Sequence, residues 1–162
     1  MKFLIASPAR FKWTLNLYPP LWGTGIRVDS VSEDFREVVV TMASRFYNRN
    51  VFGSHFGGSL AAMTDPYLAL MLMKTLGPEY QVIDSETRIR FLQLARGKVT
   101  VCFIVDDDSL AEIRAATAEG EKYFASFQVD TTDETGTVVV RTDKTIYVRL
   151  KRELWPPEQR PV

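Results

Sequence analysis

Residues 50–66 read NVFGSHFGGSLAAMTDP, and this stretch decides how the rest of the chain is interpreted. The sequence stays apolar as far as Leu76, so that only Asp65 and Lys74 are charged between residues 57 and 76. A helix that is apolar on all sides belongs inside a core. We therefore predict one long central helix over residues 57–76, buried by the rest of the domain.

Alternating patterns on both sides of this helix predict an antiparallel sheet of six strands, and hence the α+β class. Two runs precede the helix, at residues 25–32 and 35–44, and four follow it. Apolar and polar residues alternate in them, which indicates one covered face and one partly wet face. A curved sheet wrapped around the helix would supply its core. The four later runs are residues 81–92, 98–106, 122–131 and 137–150.

Proline positions predict the structure of both ends of the chain. Ser7 and Pro8 are typical of an N-cap and a first helical residue, and two prolines at 19 and 20 end the helix predicted over residues 8–18. Its apolar face packs on the domain or on a second subunit, with a membrane-surface helix as the alternative. That face is formed by Phe11, Leu15 and Tyr18. Residues 1–22 are thus helix and lead-in, and residues 155–162, with three prolines, are predicted to be loosely ordered.

Length and charge exclude several classes of protein. The 162 residues suit a single domain, residues 1–162, and no linker or repeat divides them. Twenty basic residues balance twenty acidic ones, which disfavours binding to nucleic acid or to an anionic membrane. Charges interrupt the longest apolar stretch, so no membrane span is predicted. The N-terminal apolar run is too short for a secretory core, which predicts a cytoplasmic protein.

The chain has one cysteine, Cys102, and one histidine, His55. These counts exclude a disulfide framework, a zinc cluster and a two-histidine metal site, so no metal is predicted. Cys102 lies between Val101 and Phe103, where we expect a small buried hydrophobic side chain rather than a catalytic thiol.

The candidate functional groups lie at the two ends of residues 57–65. Glycines at the start of a helix leave backbone N–H groups open to a phosphate or a developing oxyanion, and Gly57 and Gly58 occupy that position. A carboxylate buried in a core helix is costly unless it is paired, hydrogen-bonded or protonated, which marks Asp65 as a candidate functional group. Alternatively, Asp65 caps a helix that restarts at Pro66. A helix kinked at this point would accommodate both interpretations.

The spacing of these groups predicts a shared site. Gly57 and Asp65 are eight residues apart, which is roughly 12 Å along a helix. Groups acting on one acyl carbon lie about 3 Å from it. If both act on the same carbon, they come from different subunits. We therefore predict a homo-oligomer, either a dimer or a dimer of dimers, with sites at the interface.

The spacing of Asn50, the glycine pair Gly57–Gly58 and Asp65 resembles the pattern of hotdog-fold acyl-CoA thioesterases of the phenylacetyl-CoA thioesterase type. The motif FGGSLxxMxDP at residues 56–66 resembles more closely a hotdog family catalogued as being of unknown function. The likeness covers residues 25–150 in architecture, but its specific motif is confined to residues 50–66. It implies the hotdog fold, in which a curved antiparallel sheet wraps around one long central helix, with a short N-terminal helix added here.

The resemblance also implies roles for individual residues. Asn50 positions the thioester or water, the N–H of Gly57 or Gly58 holds the thioester oxygen, and Asp65 is the general base or nucleophile.

Residues beside the glycine pair are the candidates for substrate contact. They are His55, Phe56 and Ser59. The histidine of the thioesterase pattern falls on Phe56, and the only histidine lies one position earlier. His55 is therefore either a ligand-binding residue or a loop residue satisfied by the backbone.

The function implied is hydrolysis of an acyl-CoA thioester, with no cofactor beyond the coenzyme A of the substrate. Hydration or dehydration of acyl thioesters is disfavoured, because that chemistry relies on a differently placed histidine. The alternative is a non-catalytic hotdog module that binds an acyl or lipid ligand or serves assembly. Six basic residues are candidates for the coenzyme A phosphates, and the sequence does not choose among them: Arg45, Arg49, Arg88, Arg90, Arg96 and Lys98.

Overall fold

A single antiparallel sheet of six strands carries the fold. The computed structural model describes residues 6–155. Each strand is antiparallel to its neighbours, in the order β1-β2-β4-β5-β6-β3. The predicted class and strand number are confirmed. The strands are β1 (Ile26–Val31), β2 (Glu37–Ala43), β3 (Tyr80–Phe91), β4 (Lys98–Ile104), β5 (Tyr123–Asp133) and β6 (Val138–Leu150).

Within residues 6–155, five helices accompany the sheet: α1 (Pro8–Leu17), α2 (Pro19–Trp22), α3 (Gly57–Ala62), α4 (Tyr67–Leu76) and α5 (Asp107–Ala116). Short 3₁₀ turns lie at Phe46–Asn48 and Arg152–Leu154.

The N-terminal helix begins as predicted, with the Ser7 side chain accepting a hydrogen bond from the Arg10 N–H at 3.3 Å. Phe11 and Leu15 of its apolar face are buried, whereas Tyr18 follows the helix and is half exposed. The two prolines after Tyr18 begin α2 as well as ending α1, because proline is tolerated in the first turn of a helix.

The core lies between α4 and the inner face of the sheet. Alternate residues of β2 and β4 are fully buried, as period-two alternation requires. The Tyr67 ring stacks on Phe103 with centroids 4.9 Å apart. A fully buried apolar side chain contributes about 1.5–3 kcal/mol, so this layer holds the helix against the strands. Its members include Val38, Val40, Met42, Val99, Val101, Leu68, Met71 and Leu72.

The predicted single helix over residues 57–76 is instead two helices. α3 ends at Ala62 and α4 begins at Tyr67. Pro66 has no N–H to continue the ladder of hydrogen bonds, so the helix is interrupted before it. Pro66 itself occupies the N-cap position of α4 and no side chain caps that end, so the expectation that Asp65 is the cap is wrong.

Two further expectations are corrected by the structure. The segment between the strands predicted at residues 98–106 and 122–131, for which no helix is predicted above, contains α5, whose N-terminus is capped by Asp106 through the Ser109 N–H at 2.7 Å. Cys102 is exposed rather than buried, because its neighbours Val101 and Phe103 both point inward from β4.

At the C-terminus, Trp155 is buried and its indole N–H donates to the Leu150 carbonyl at 2.7 Å. The remainder of the predicted tail, residues 156–162, lies outside the described residues. None of the helices within residues 6–155 is long and apolar enough to cross a membrane.

Candidate functional site

Asn50 organises the loop that leads into α3. Its Oδ1 accepts hydrogen bonds from the Phe52 N–H at 2.9 Å and the Ser54 N–H at 3.2 Å. Its Nδ2 donates to Ser54 Oγ at 2.9 Å and to the His55 carbonyl at 3.1 Å. An asparagine that bonds the backbone two residues ahead forms an Asx turn. Both amide protons are therefore used inside the loop, where they fix its shape.

Asn48 fastens the same loop to the sheet, a role that sequence reasoning missed. Its side chain is 1% exposed, and its Nδ2 donates to the carbonyls of Thr24 at 3.0 Å and Ala43 at 2.9 Å. Its Oδ1 accepts from the Arg45 N–H at 2.7 Å. The Asn48 carbonyl in turn accepts from the Phe56 N–H at 2.8 Å, which sets the point where α3 begins.

His55 is buried and turned away from solvent. Its Nε2 lies 2.9 Å from the Gly97 carbonyl, and since a carbonyl only accepts, Nε2 carries the proton. Burial lowers the pKa of His55, which keeps the ring neutral at pH 7. Nδ1 has no hydrogen-bond partner among the described residues. Of the two roles predicted for His55, this geometry matches the loop residue held by the backbone.

The glycine pair lies between two exposed aromatic rings. A Cβ at Gly57 would lie 3.3 Å from Cζ of Phe91, and one at Gly58 would lie 2.4 Å from Cε1 of Phe56. Within residues 6–155, neither Gly57 N–H nor Gly58 N–H has a hydrogen-bond acceptor. Ser59, by contrast, is 3% exposed and its N–H bonds to the Phe56 carbonyl at 3.0 Å. The two glycine N–H groups are therefore available as donors.

Asp65 lies in the connection between α3 and α4, and its side chain is 61% exposed. The expectation of a buried carboxylate is wrong, because the helix breaks at this residue and turns the side chain outward. Asp65 Oδ1 is 3.6 Å from Nζ of Lys144. The carboxylate therefore has one side near a cation and the other open.

Lys144 is the residue that sequence reasoning missed at this site. It lies on β6 with its side chain 2% exposed, and its Nζ is 2.7 Å from Asp84 Oδ1 on β3. A buried ammonium is strongly unfavourable without such a partner. Its position was available in the sequence, since Lys144 has the same parity as Val140, Ile146 and Val148 on the inward face of β6.

Three effects act on the Asp65 carboxyl. Partial removal from water beside the helix break raises the pKa of Asp65, and the negative charge of Asp84 raises it further. The Lys144 ammonium acts in the opposite direction. The net pKa of Asp65 lies above the ordinary value of 3.8, which makes this carboxylate a stronger base than an average aspartate.

The predicted residues form two separate groups within one chain. Asn50, His55 and the glycine pair belong to the loop and the start of α3, whereas Asp65 is grouped with Lys144 and Asp84. No hydrogen bond or ion pair in the described part of the chain joins Asp65 to residues 50–59. In the same part of the chain, no three His, Cys, Asp or Glu side chains are grouped to hold a metal ion.

The sheet and helices define a hotdog fold, as comparison with solved structures shows. PA5026 from Pseudomonas aeruginosa, a protein of unknown function described as a probable thioesterase, is similar with a TM-score of 0.75, 21% identity and coverage of 90% of this chain and 99% of that one. The thioesterase HI1161 from Haemophilus influenzae is similar with a TM-score of 0.65, 16% identity and coverage of 94% and 95%. At these identities the likeness establishes the fold.

Residues 8–148 match the family described as a domain of unknown function, DUF4442, and the chain belongs to this family. A comparison with curated proteins gave no significant match.

Proposed function

We propose that this protein hydrolyses acyl-CoA thioesters, with Asp65 as the catalytic carboxylate. The observation that carries the proposal is an aspartate at the break of the central helix, open to solvent on one side and held by a buried lysine on the other. The hotdog fold, shared with proteins described as thioesterases, supports the same reaction class. A cytoplasmic location is part of this proposal.

The reaction needs a base or nucleophile and a donor to the carbonyl oxygen. Asp65 either takes a proton from water, whose oxygen attacks the thioester carbon, or attacks that carbon itself to give an anhydride that water opens. In both cases the C–S bond breaks and coenzyme A leaves as the thiol. The N–H groups of Gly57 and Gly58 stabilise the negative charge that develops on the carbonyl oxygen. Such a reaction proceeds without a metal.

A second subunit brings the two groups together in this proposal. In the described part of the chain, β3 is an edge strand that pairs with β6 on one side only, and an unpaired edge is a ready surface for another chain. Its end is apolar and exposed at Phe91 and Leu92, with Leu94 just beyond. Because the Phe91 ring lies against Gly57, a subunit that pairs along β3 approaches the glycine pair. These features support a dimer whose partner supplies Asp65 to that pair.

A non-catalytic acyl-binding module is the second candidate. The thioesterase histidine is replaced by Phe56, an exposed aromatic residue, and both amide protons of Asn50 are engaged within the loop. An apolar side chain beside the glycine pair suits an acyl chain, and polar assistance to the reaction is reduced there.

Thiol release from an acyl-CoA panel separates the two candidates. The panel contains short, medium, long and aromatic acyl groups, and it is given to wild type, Asp65→Asn and the control Asp108→Asn. Asp108 is an exposed carboxylate in the first turn of α5. Its replacement by asparagine therefore removes the same negative charge at a position outside the candidate site. We expect the wild type and Asp108→Asn to turn over at least one member, and Asp65→Asn to lose at least about a hundredfold in rate.

Melting temperatures recorded with the same proteins control for folding. An unchanged melting temperature for Asp65→Asn, together with lost turnover, assigns the carboxylate to the chemistry. Absence of turnover by the wild type, with acyl-CoA still raising its melting temperature, contradicts the enzyme and supports the binding module.

A further inference from the structure

A basic pocket of about 420 Å³ lies on the outer face of the sheet, beside the end of α2. Its floor comes from β1, β2 and β4, where Arg27 lies opposite Thr41 and Ala43 opposite Lys98 in the strand register. Neighbouring residues of the same strands point into the core, so these side chains point outward. We call this the outer pocket, and its principal side chains are Trp22, Arg27, Arg45, Tyr47 and Lys98.

The charge of the outer pocket suits a phosphorylated ligand. Among the residues that the structure describes, Arg27, Arg45 and Lys98 line it and no carboxylate does. The adjacent counter-charge is Asp29, whose Oδ2 is 3.7 Å from Lys98 Nζ, and the lysine side chain remains 49% exposed. Guanidinium and ammonium groups form their strongest hydrogen bonds with charged oxygens such as those of phosphate.

Two aromatic rings give the outer pocket a second property. Trp22 is 60% exposed and Tyr47 is 53% exposed, although both line a concave surface. Gly25 holds the Tyr47 ring close to β1, because its φ of +78° favours glycine and a Cβ there would lie 3.2 Å from the Tyr47 hydroxyl. Exposed aromatic rings of this kind stack on nucleic bases. Phosphate binding and base stacking together indicate a nucleotide.

The outer pocket is close to the glycine pair. Tyr47 precedes Asn48, whose carbonyl is bonded to the Phe56 N–H, and Phe56 precedes Gly57. The Cα atoms of Tyr47 and Gly57 are therefore separated by at most roughly 13 Å along this path. The flexible pantetheine arm of coenzyme A is long enough to cover that distance.

We propose that the outer pocket binds the phosphorylated adenosine of a coenzyme A thioester. The choice of this nucleotide rests on the proposed thioesterase function, whereas the pocket itself does not depend on Asp65. Of the six basic residues considered from the sequence, Arg45 and Lys98 belong to the pocket, and the structure adds Arg27. Arg90 is instead ion-paired with Asp143 at 2.6 Å, between β3 and β6 at the other end of the strand order.

Calorimetric titration of the full chain with adenosine 3′,5′-bisphosphate tests the assignment. The wild type, Asp65→Asn, the pocket variant Arg27→Gln/Lys98→Gln and the control Arg114→Gln/Lys122→Gln are compared. The control removes the same charge from exposed positions outside the pocket. We expect binding by the wild type, Asp65→Asn and the control, and affinity at least about tenfold lower for the pocket variant. Added salt should weaken the binding.

Three results would overturn the assignment: no binding by the wild type, equal binding by the pocket variant, or tighter binding of ADP or ATP than of the bisphosphate. The last result would assign the pocket to a free nucleotide. Failure of the proposed function is distinguishable from failure of this assignment. If the titration gives the predicted pattern but no acyl-CoA is hydrolysed, the pocket binds a nucleotide and the protein is not a thioesterase. Turnover without the titration pattern leaves the thioesterase without this pocket.

Discussion

The loop at residues 48–56 and the helix break at residues 63–66 lie before and after α3, and the polar side chains of the two regions differ in how their hydrogen-bonding groups are used. In the loop, the amides of Asn48 and Asn50 are bonded to nearby backbone groups at both their oxygen and their nitrogen. At the break, Asp65 has an ion pair on one side and solvent on the other.

This difference distinguishes side chains that stabilise the fold from a side chain that is free to react. A side chain whose donors and acceptors are all engaged stabilises the fold but has none left for a substrate. A carboxylate that is fixed on one side and open on the other can take a proton or attack a carbonyl. In the proposed reaction, the loop therefore has a structural role at the start of α3, and the helix break supplies the reactive carboxylate.

The largest effect is expected from Lys144→Met. The buried ammonium neutralises Asp84, and its removal leaves that carboxylate unpaired inside the sheet. We expect a loss of about 3 kcal/mol in the free energy of unfolding, measured by urea denaturation. The double variant Lys144→Met/Asp84→Asn should recover more than half of this loss. Equal stability of the single variant and the wild type would mean that the pair does not hold the helix break.

A smaller effect is expected from Asn48→Ala, which sharpens the description of the loop. Removal of this amide leaves the carbonyls of Thr24 and Ala43 without their donor in a partly buried position. We expect about 2 kcal/mol of destabilisation in urea, against about 1 kcal/mol for Asn50→Ala, whose partners lie within a more exposed loop. If Asn50→Ala abolishes thioester hydrolysis while the free energy of unfolding is unchanged, Asn50 takes part in the reaction. The contrast drawn between a structural loop and a reactive helix break is then wrong.

The smallest effect is a displaced pH profile in Asp84→Asn. The negative charge of Asp84 raises the pKa of Asp65, so its removal lowers that pKa. Because the reaction needs the deprotonated carboxylate, activity is lost as pH falls through the pKa of Asp65. The acidic limb of kcat/KM against pH should therefore move to lower pH than in the wild type. A displacement to higher pH would contradict the proposed electrostatics.

Sequence patterns predicted the strands and the first helix well because each depends on local information. Period-two alternation marks a half-buried strand, and Ser7 with Pro8 marks a helix start. The break between α3 and α4 depends on one residue, Pro66, within the buried stretch at residues 57–76. The apolar composition of that stretch alone did not predict the break. Leu110 and Ile113 are the only large apolar residues of α5, and its other apolar residues are three alanines, so the hydrophobic periodicity of this segment is weak.

Only the part of the candidate site that depends on local sequence could be identified in advance. The glycine pair and Asp65 were identified from a local motif, but the ion pair on Asp65 joins the helix break to β6 and β3. Contacts between distant strands leave little trace in one sequence. Lys144 was missed and Cys102 was wrongly predicted to be buried, although strand parity assigns the first to the inner face of the sheet and the second to the outer face.

The shared site is tested most directly by a hybrid dimer of Asp65→Asn and Gly57→Pro, purified through two different tags. Proline at residue 57 removes the N–H donor, and Phe56 already has the extended conformation that precedes proline, with φ of −63° and ψ of 129°. Gly57→Ala is the control that adds a side chain and keeps the N–H. Each variant alone should lose about a hundredfold in thioester hydrolysis.

In the hybrid, one of the two sites combines an intact Asp65 with an intact Gly57 from the other subunit. We expect it to recover about half of the wild-type rate per dimer. A hybrid as inactive as its parents would contradict a site built from two subunits.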